Sequence, residues 1–235
     1  LPVCLLSMDN FFLSLEERPK ELTDWESPLC VNWALLRRCM EEPSAGQTAQ
    51  VPWYDFPGGK TGGYTAMEGH ADGIIIVEGI HMLNPIIFDQ IRDRATGIYV
   101  APRTRIITGD DHIVRPEQIR VARRMIRDYR GRGNSLRTTI SRAQDVDRGE
   151  VQYIAPNKPN ASVHIDTFHD YELCILAKYL KEIPQFSSEL DDAFIEEHGL
   201  SVLMQVVREL PPLDTPFVPR DSIVREFVGG SCFQY

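Results

Sequence analysis

The run Gly73-Ile74-Ile75-Ile76-Val77 is the most strongly β-branched stretch of the chain, and it stops abruptly at Glu78-Gly79. β-Branched side chains favour extended backbone. A continuous apolar run without polar alternation suits a parallel strand covered on both faces. A second run of this kind, Val3-Cys4-Leu5-Leu6, opens the sequence and ends in Ser7-Met8-Asp9-Asn10-Phe11-Phe12. Helical patterns separate the apolar runs. One lies near residues 31–40, with Ser27-Pro28 as cap and first-turn proline, and another starts at Asn84-Pro85 and carries Ile86, Ile87, Phe88 and Ile91. Pro43 to Gln50 reads as a polar loop, and Ile98-Tyr99-Val100 and residues 162–165 as further short strands. Strand and helix alternating in this way predict an α/β fold, a parallel sheet flanked by helices.

From Pro116 to about Tyr129 the apolar residues Ile119, Ala122, Met125 and Ile126 recur at helical spacing, and Arg120, Arg123, Arg124, Arg127 and Arg130 gather on the opposite side. Gly131 and Gly133 end this helix, and a second follows from about residue 135 to 143. Asp170 is placed to cap a helix through Leu180. Beyond the weak boundary at residues 184–188 come two more helical stretches, one ending at Gly199 and one stopped by Pro211-Pro212.

A net charge of −9 speaks against generic nucleic-acid binding, which needs a basic footprint. The arginines crowded between Arg103 and Arg148 suit a small anionic ligand instead, or simply a solvated helix face. No apolar run approaches membrane-spanning length, so no membrane partner is expected. The 5 cysteines are scattered and form no C-x-x-C pair, which argues against a disulfide framework or a zinc site and for a reducing, cytoplasmic setting.

Gly59-Lys60-Thr61 imitates the end of the phosphate-binding motif G-x-x-x-x-G-K-[ST], but Tyr54 stands where its first glycine belongs. No helix pattern follows, so the backbone amides needed to cradle phosphates at a helix N-terminus are not supplied there. Glu78, at the end of an apolar strand, is where a nucleotide kinase places an acid near Mg²⁺, although any buried strand can end in an acid.

Eight segments in order carry a family resemblance: Leu6 to Phe12; Asp24-Trp25-Glu26-Ser27-Pro28; Pro52-Trp53-Tyr54-Asp55-Phe56; Val77 to Pro85; Arg123 to Gly133; Arg148-Gly149-Glu150 with Tyr153 to Pro156; Tyr171-Glu172-Leu173; and Ser222 to Ser231. Together they span essentially the whole chain, which resembles the uridine kinase and phosphoribulokinase superfamily, in its nucleoside kinase branch. The resemblance implies a P-loop kinase-type domain over residues 1–183, with a helical lid at about 115–150, and a helical extension over 184–235 packed on it. It also implies ATP and Mg²⁺ as cofactors, a small nucleoside as partner, and leaves self-association open. In such kinases the phosphate loop precedes the Asp-Asn-Phe-Phe strand. A strand, loop and helix of about 30 residues are therefore expected upstream of Leu1.

Residue by residue, the resemblance puts Asp9 in the place of the acid that orients the 5′-hydroxyl and takes its proton, a turn aspartate being the plain alternative. Glu78 falls on the metal side, directly or through water. Phe12, Tyr54 and Asp55 line the nucleoside pocket, unless Tyr54 is simply a core ring. Glu26 matches an acid that holds ribose hydroxyls, unless it is a surface carboxylate. Lys60 matches a basic position where Gly-Lys-Arg is usual, and Thr61 replaces the arginine. Arg124, Arg127 and Arg132 match lid cations that stabilise the transferring phosphoryl group, with Arg123 as their outward-facing neighbour. The expected activity is transfer of the ATP γ-phosphate to the 5′-hydroxyl of uridine or cytidine in pyrimidine salvage. The competing readings are a non-catalytic nucleoside-binding module and, with weaker agreement at both ends of the chain, a sugar-phosphate kinase.

Overall fold

The computed structural model describes residues 1–233 except Thr23, Thr108, Asp110 and Gln185, together with all their side chains but that of Ser187. Within this span the chain forms two compact units. The first comprises residues 1–98 and 148–163, the second residues 99–147 and 164–235.

In the first unit, β1 (Val3–Ser7) and β4 (Ile74–Glu78) pair in parallel, Val3 opposite Ile74 and Ser7 opposite Glu78. Between them the chain runs through a short 3-10 turn at Met8–Phe11, then α1 (Trp33–Ser44), then an antiparallel hairpin of β2 (Ala49–Asp55) and β3 (Lys60–Met67). After β4 comes α2 (Pro85–Phe88), capped by the Asn84 side chain at Ile86 N–H. Leu6, Met8, Phe11, Leu36, Cys39, Ile87 and Phe88 form the core.

Three expectations are corrected in this unit. Ser27 caps only a 3-10 turn at Pro28–Cys30, and Asn32 caps α1 by accepting from Leu35 N–H, because the chain is extended at Val31. The polar loop expected from Pro43 to Gln50 is shorter. Pro43 lies in the last turn of α1, where few helical hydrogen bonds remain to be lost, and strand begins at Ala49. Finally, the β1–β4 pair is covered on one face. Side chains alternate along strands, so Leu6, Ile75 and Val77 turn to the core while Val3, Leu5, Ile74 and Ile76 stay exposed.

β5 (Ile98–Ala101) and β8 (Val163–Asp166) pair where the two units divide the chain. The second unit adds the antiparallel β6 (Ile106–Ile107) and β7 (Ile113–Val114). Its helices are α3 (Pro116–Arg132), α4 (Leu136–Gly149, reaching into the first unit), α5 (Glu172–Lys181), α6 (Phe186–Glu189), α7 (Asp192–Glu197), α8 (Ser201–Glu209) and α9 (Val224–Val228). Gly133 ends α3 in the left-handed conformation, at φ +64°, as glycine does most readily. Asp170 does not cap α5. Glu172 folds its own carboxylate back to His169 N–H at 3.4 Å instead.

Ile119, Ala122, Met125 and Ile126 of α3 are fully buried in a core shared with α8, and α3 packs against α5 and α9, so the arginine helix is a core element of its unit. Arg123, expected to face outward, is buried. Its guanidinium forms a two-pronged ion pair with the fully buried Glu172, at 2.5 and 2.8 Å, and also donates to Thr167 O at 2.9 Å. Its polar stripe position hid this, because the burial comes from α5 and from the Phe227 ring, whose centroid is 5.3 Å from the guanidinium. Among the described residues no helix is long and apolar enough to cross a membrane.

Removing one partner of a buried pair strands the other charge. Glu172→Ala is expected to cost about 3–5 kcal/mol in urea unfolding. Arg37→Ala, which deletes an exposed 3.9 Å pair with Glu41, is expected to cost under about 1 kcal/mol. Equal losses would show that the Arg123–Glu172 pair does not anchor α3.

Candidate active site

The parallel register of β1 and β4 sets Ser7 beside Glu78, so Asp9, two residues on, emerges at the same carboxyl-terminal edge. Ligands of open α/β sheets collect at that edge. The Asp9 carboxyl is held above its ordinary range, first by desolvation and then by the negative charge of Glu78. Gly79 follows Glu78 at φ +154°, and a Cβ there would come within 2.4 Å of Met8 Cβ. Only glycine lets the strand end this close to the turn that carries Asp9.

Phe12, Tyr54 and Phe56 make a three-ring edge-to-face cluster, with centroids 5.9, 6.4 and 5.1 Å apart. Tyr54 is buried, and its main-chain N–H donates to Asn10 Oδ1 at 3.2 Å, which ties the hairpin to the Asp9 turn. Its hydroxyl donates to Leu13 O at 3.3 Å. Thus Tyr54 is at once a core ring and part of the aromatic cluster. Asp55 and Lys60 face each other across the hairpin, and a side chain at Gly58 would strike Asp55 Oδ2 at 2.2 Å. Gly59-Lys60-Thr61 therefore belongs to a strand-to-strand turn and leads into β3, not into a helix.

Glu26 is half-buried in the Asp24–Ser27 turn, where its N–H donates to Asp24 Oδ1 at 2.9 Å. His81, three residues beyond Glu78, supports this turn from beneath. It is buried, hydrogen-bonded to the Glu26 main chain, and set edge-on to Tyr153 at 6.3 Å. Its Nδ1 has no hydrogen-bond partner. Burial pushes its pKa down, against the opposing pull of the Glu26 bond and of Asp24. The Tyr153 hydroxyl bonds Asp24 and Ser27, so part of this support comes from the helical turn after α4.

The second unit holds the expected phosphate-binding arginines. Arg127 Nε donates to Asp128 Oδ1 at 3.0 Å and Arg132 reaches the same oxygen at 3.4 Å, while Arg124 is half-buried. Arg130 instead bonds Val228 O and lies 5.0 Å over the Tyr179 ring. The carboxyl-terminal Arg225-to-Gly230 stretch thereby gains a visible role. Phe227 and Val228 grip α3 at Arg123 and Arg130, and Arg225 donates to Thr215 O and Val218 O at 2.8 and 2.6 Å.

The protein-family model "Phosphoribulokinase / Uridine kinase family" matches residues 6–173, from the last core residue of β1 into α5. The chain belongs to that family. Among its relatives, the uridine kinase of Clostridium novyi (strain NT) is 29% identical over 169 residues, covering 69% of this chain and 73% of that protein. The uridine kinase of Streptococcus pyogenes serotype M5 is 30% identical over 158 residues, 67% of each chain. That of Borrelia duttonii is 28% identical over 191 residues, 79% of this chain and 84% of that one. Family membership agrees with the α/β fold and its parallel strand pair. Two features at the site carry no sequence signal that marks them: the placement of Arg18 among the rings, and the buried imidazole of His81.

Because the folded pKa of His81 lies below its unfolded value of 6.5, the unfolded chain binds more protons as pH falls through that value. Its contribution to stability is thus present above pH 6.5 and lost progressively below it. Urea midpoints are expected to drop between pH 7.5 and 5.5 more steeply in the wild type than in His81→Asn. Parallel pH profiles of the two proteins would contradict the buried neutral imidazole.

Proposed function

We propose that the protein is an ATP-dependent nucleoside kinase of the uridine kinase type, transferring the γ-phosphate of ATP to the 5′-hydroxyl of uridine or cytidine. The observation that carries this reading is the convergence of two carboxylates, Asp9 and Glu78, at one strand edge beside the Phe12–Tyr54–Phe56 cluster. A catalyst of phosphoryl transfer has little covalent chemistry to perform. It must position a hydroxyl, hold a metal-bound triphosphate and neutralise charge.

Asp9 accepts a hydrogen bond from the nucleoside 5′-hydroxyl and takes its proton as the oxygen attacks the γ-phosphorus and the β–γ bridging bond breaks. Its pKa, raised by desolvation and by the charge of Glu78, makes it a stronger base than an ordinary aspartate. Glu78, exposed at the end of β4, offers a hard oxygen ligand to Mg²⁺. The donor set fits, since Mg²⁺ takes one or two carboxylates together with substrate phosphates, and the Asp9–Glu78 repulsion falls when a cation is near. Bound there, the ion would supply charge neutralisation to the triphosphate.

On the acceptor side, the rings of Phe12 and Tyr54 offer apolar edges to a planar base, Glu26 accepts from ribose hydroxyls, and Asp55 and Lys60 border the same hairpin end. Arg124, Arg127 and Arg132 donate to phosphoryl oxygens. Arg123 is withdrawn from that role, because Glu172 already neutralises it inside the core. The reaction would serve pyrimidine salvage, in the reducing, cytoplasmic setting that the scattered cysteines favour.

The test is a coupled assay of the full-length protein with ATP–Mg²⁺ and a panel of nucleosides. Asp9→Asn is expected to lower kcat by about 10²- to 10⁴-fold. It is also expected to raise the melting temperature, because a carboxyl whose pKa rises on folding opposes folding once ionised. Turnover within a few-fold of wild type would remove Asp9 from the mechanism, and saturable uridine binding without any turnover would favour the non-catalytic module.

A further inference from the structure

Arg18 stands out among the cations of the first unit. Its guanidinium lies 4.2 Å from the centroid of the Trp25 ring and 5.6 Å from that of Phe12. Nε donates to Leu13 O at 3.0 Å, and Nη2 lies 3.5 Å from the Tyr54 hydroxyl. Among the described residues no carboxylate comes within ion-pair distance of it, in contrast to Arg37, Arg92 and Arg123. Asp24 and Glu26 are nevertheless close enough that their charges and that of Arg18 are all felt at the Cys30 thiol. The result is a half-buried, flat cation with unused N–H donors, held between rings next to the turn that bears Glu26.

A guanidinium has five donors in one plane, and the two bonds seen here leave Nη1 and part of Nη2 without acceptors among the described residues. The Trp25 ring, 4.2 Å away, restrains the guanidinium and covers part of its surface, so the remaining donors stay available to a ligand. The ligand chemistry that answers this geometry is an oxygen acceptor lying in the plane of a flat ring, which can use the neighbouring aromatic edges at the same time. Resting on the nucleoside kinase reading above, we propose that Arg18 is the specificity-determining residue of the acceptor site and donates to a ring carbonyl oxygen of a pyrimidine base. A lysine in its place would keep the charge and lose the plane. The same donors would also meet a phosphate oxygen, so an acceptor already carrying a phosphate is the rival source of that contact.

Nucleoside binding without ATP tests this by calorimetric titration of the wild type, Arg18→Gln and Arg18→Lys. The ligands are uridine, the carbonyl-free phenyl C-riboside and ribose 5-phosphate, with urea midpoints confirming that each variant is folded. Arg18→Gln is expected to weaken uridine by about 10- to 100-fold, the range of a hydrogen bond from a charged donor. Arg18→Lys should fall between, and the phenyl riboside should bind all three proteins alike. Three outcomes overturn the inference while leaving the kinase reading standing: uridine unaffected by Arg18→Gln, an equal loss for the phenyl riboside, or a loss confined to ribose 5-phosphate. A wild-type protein that binds no nucleoside overturns the kinase reading, and this inference with it.

Discussion

The pairing of β1 with β4 is the constraint on which the proposed chemistry depends. Parallel strands end together, and this register sets Ser7 opposite Glu78, so the chain leaving β1 must carry its next polar residue, Asp9, past the Glu78 carboxylate. Slipping the pairing by one residue would turn Leu6 and Val77 out of the core and separate the two acids. The alternation that buries Leu6 thus also aims the chemistry. Gly79 and Asn10 complete the arrangement, the one by leaving room for Met8, the other by tying the Tyr54 backbone to the same turn.

The second unit solves a different problem, that of keeping a helix rich in arginine folded. Four apolar residues of α3 are sunk into a core shared with α5, α8 and α9, and two of its arginines are spent on structure. Arg123 is neutralised by Glu172, and Arg130 is held by Val228 O and the Tyr179 ring. The helix also carries Arg120, paired with Asp147 at 3.4 Å, Arg124, and Arg127 and Arg132, which share the carboxylate of Asp128. A charge-dense surface of this kind would repel itself apart without such internal partners. The carboxyl-terminal Phe227-Val228 pair earns its place here as a brace.

Much of this was legible in the sequence where a local rule decides the matter. Ile74 to Val77 has to be strand, Pro116 has to open a helix, Gly133 has to close it, and Pro211-Pro212 has to stop α8. What escaped depends on partners far away in the chain. Arg123 sits on the polar stripe of α3 and is buried because Glu172, 49 residues on, and the Phe227 ring meet it. The β2–β3 hairpin lacks strong alternation, since Pro52, Gly62 and Gly63 interrupt it. Its register is held instead by the Trp53 ring, which lies where side chains at those glycines would be. At the candidate site, Asp9, Glu78 and the Phe12–Tyr54 pair came from an ordered set of segments. Arg18 lies outside those segments, and His81, though inside the one from Val77 to Pro85, bears no mark of its burial, because an arginine in a polar loop and a histidine after a strand are ordinary in sequence and unusual only in what surrounds them.

An aspartate whose ionisation is made costlier by desolvation and by a neighbouring acid, and an imidazole whose protonation burial opposes, are concessions that a fold shaped for stability alone has no reason to make. Each would be relieved by a single change, Asp9 to asparagine or His81 to an apolar side chain, without disturbing the backbone hydrogen bonds of β1 and β4. The concessions are also concentrated. Asp9, Glu78 and the turn bearing Glu26, which His81 supports, are linked within one unit by the β1–β4 edge and the residues that follow it. Structural ion pairs elsewhere, such as Arg123 with Glu172, are by contrast fully compensated. Like charges gathered at one sheet edge without a cation among the described residues, while the buried Arg123 and Glu172 are paired, are the physical signature of a site kept for chemistry.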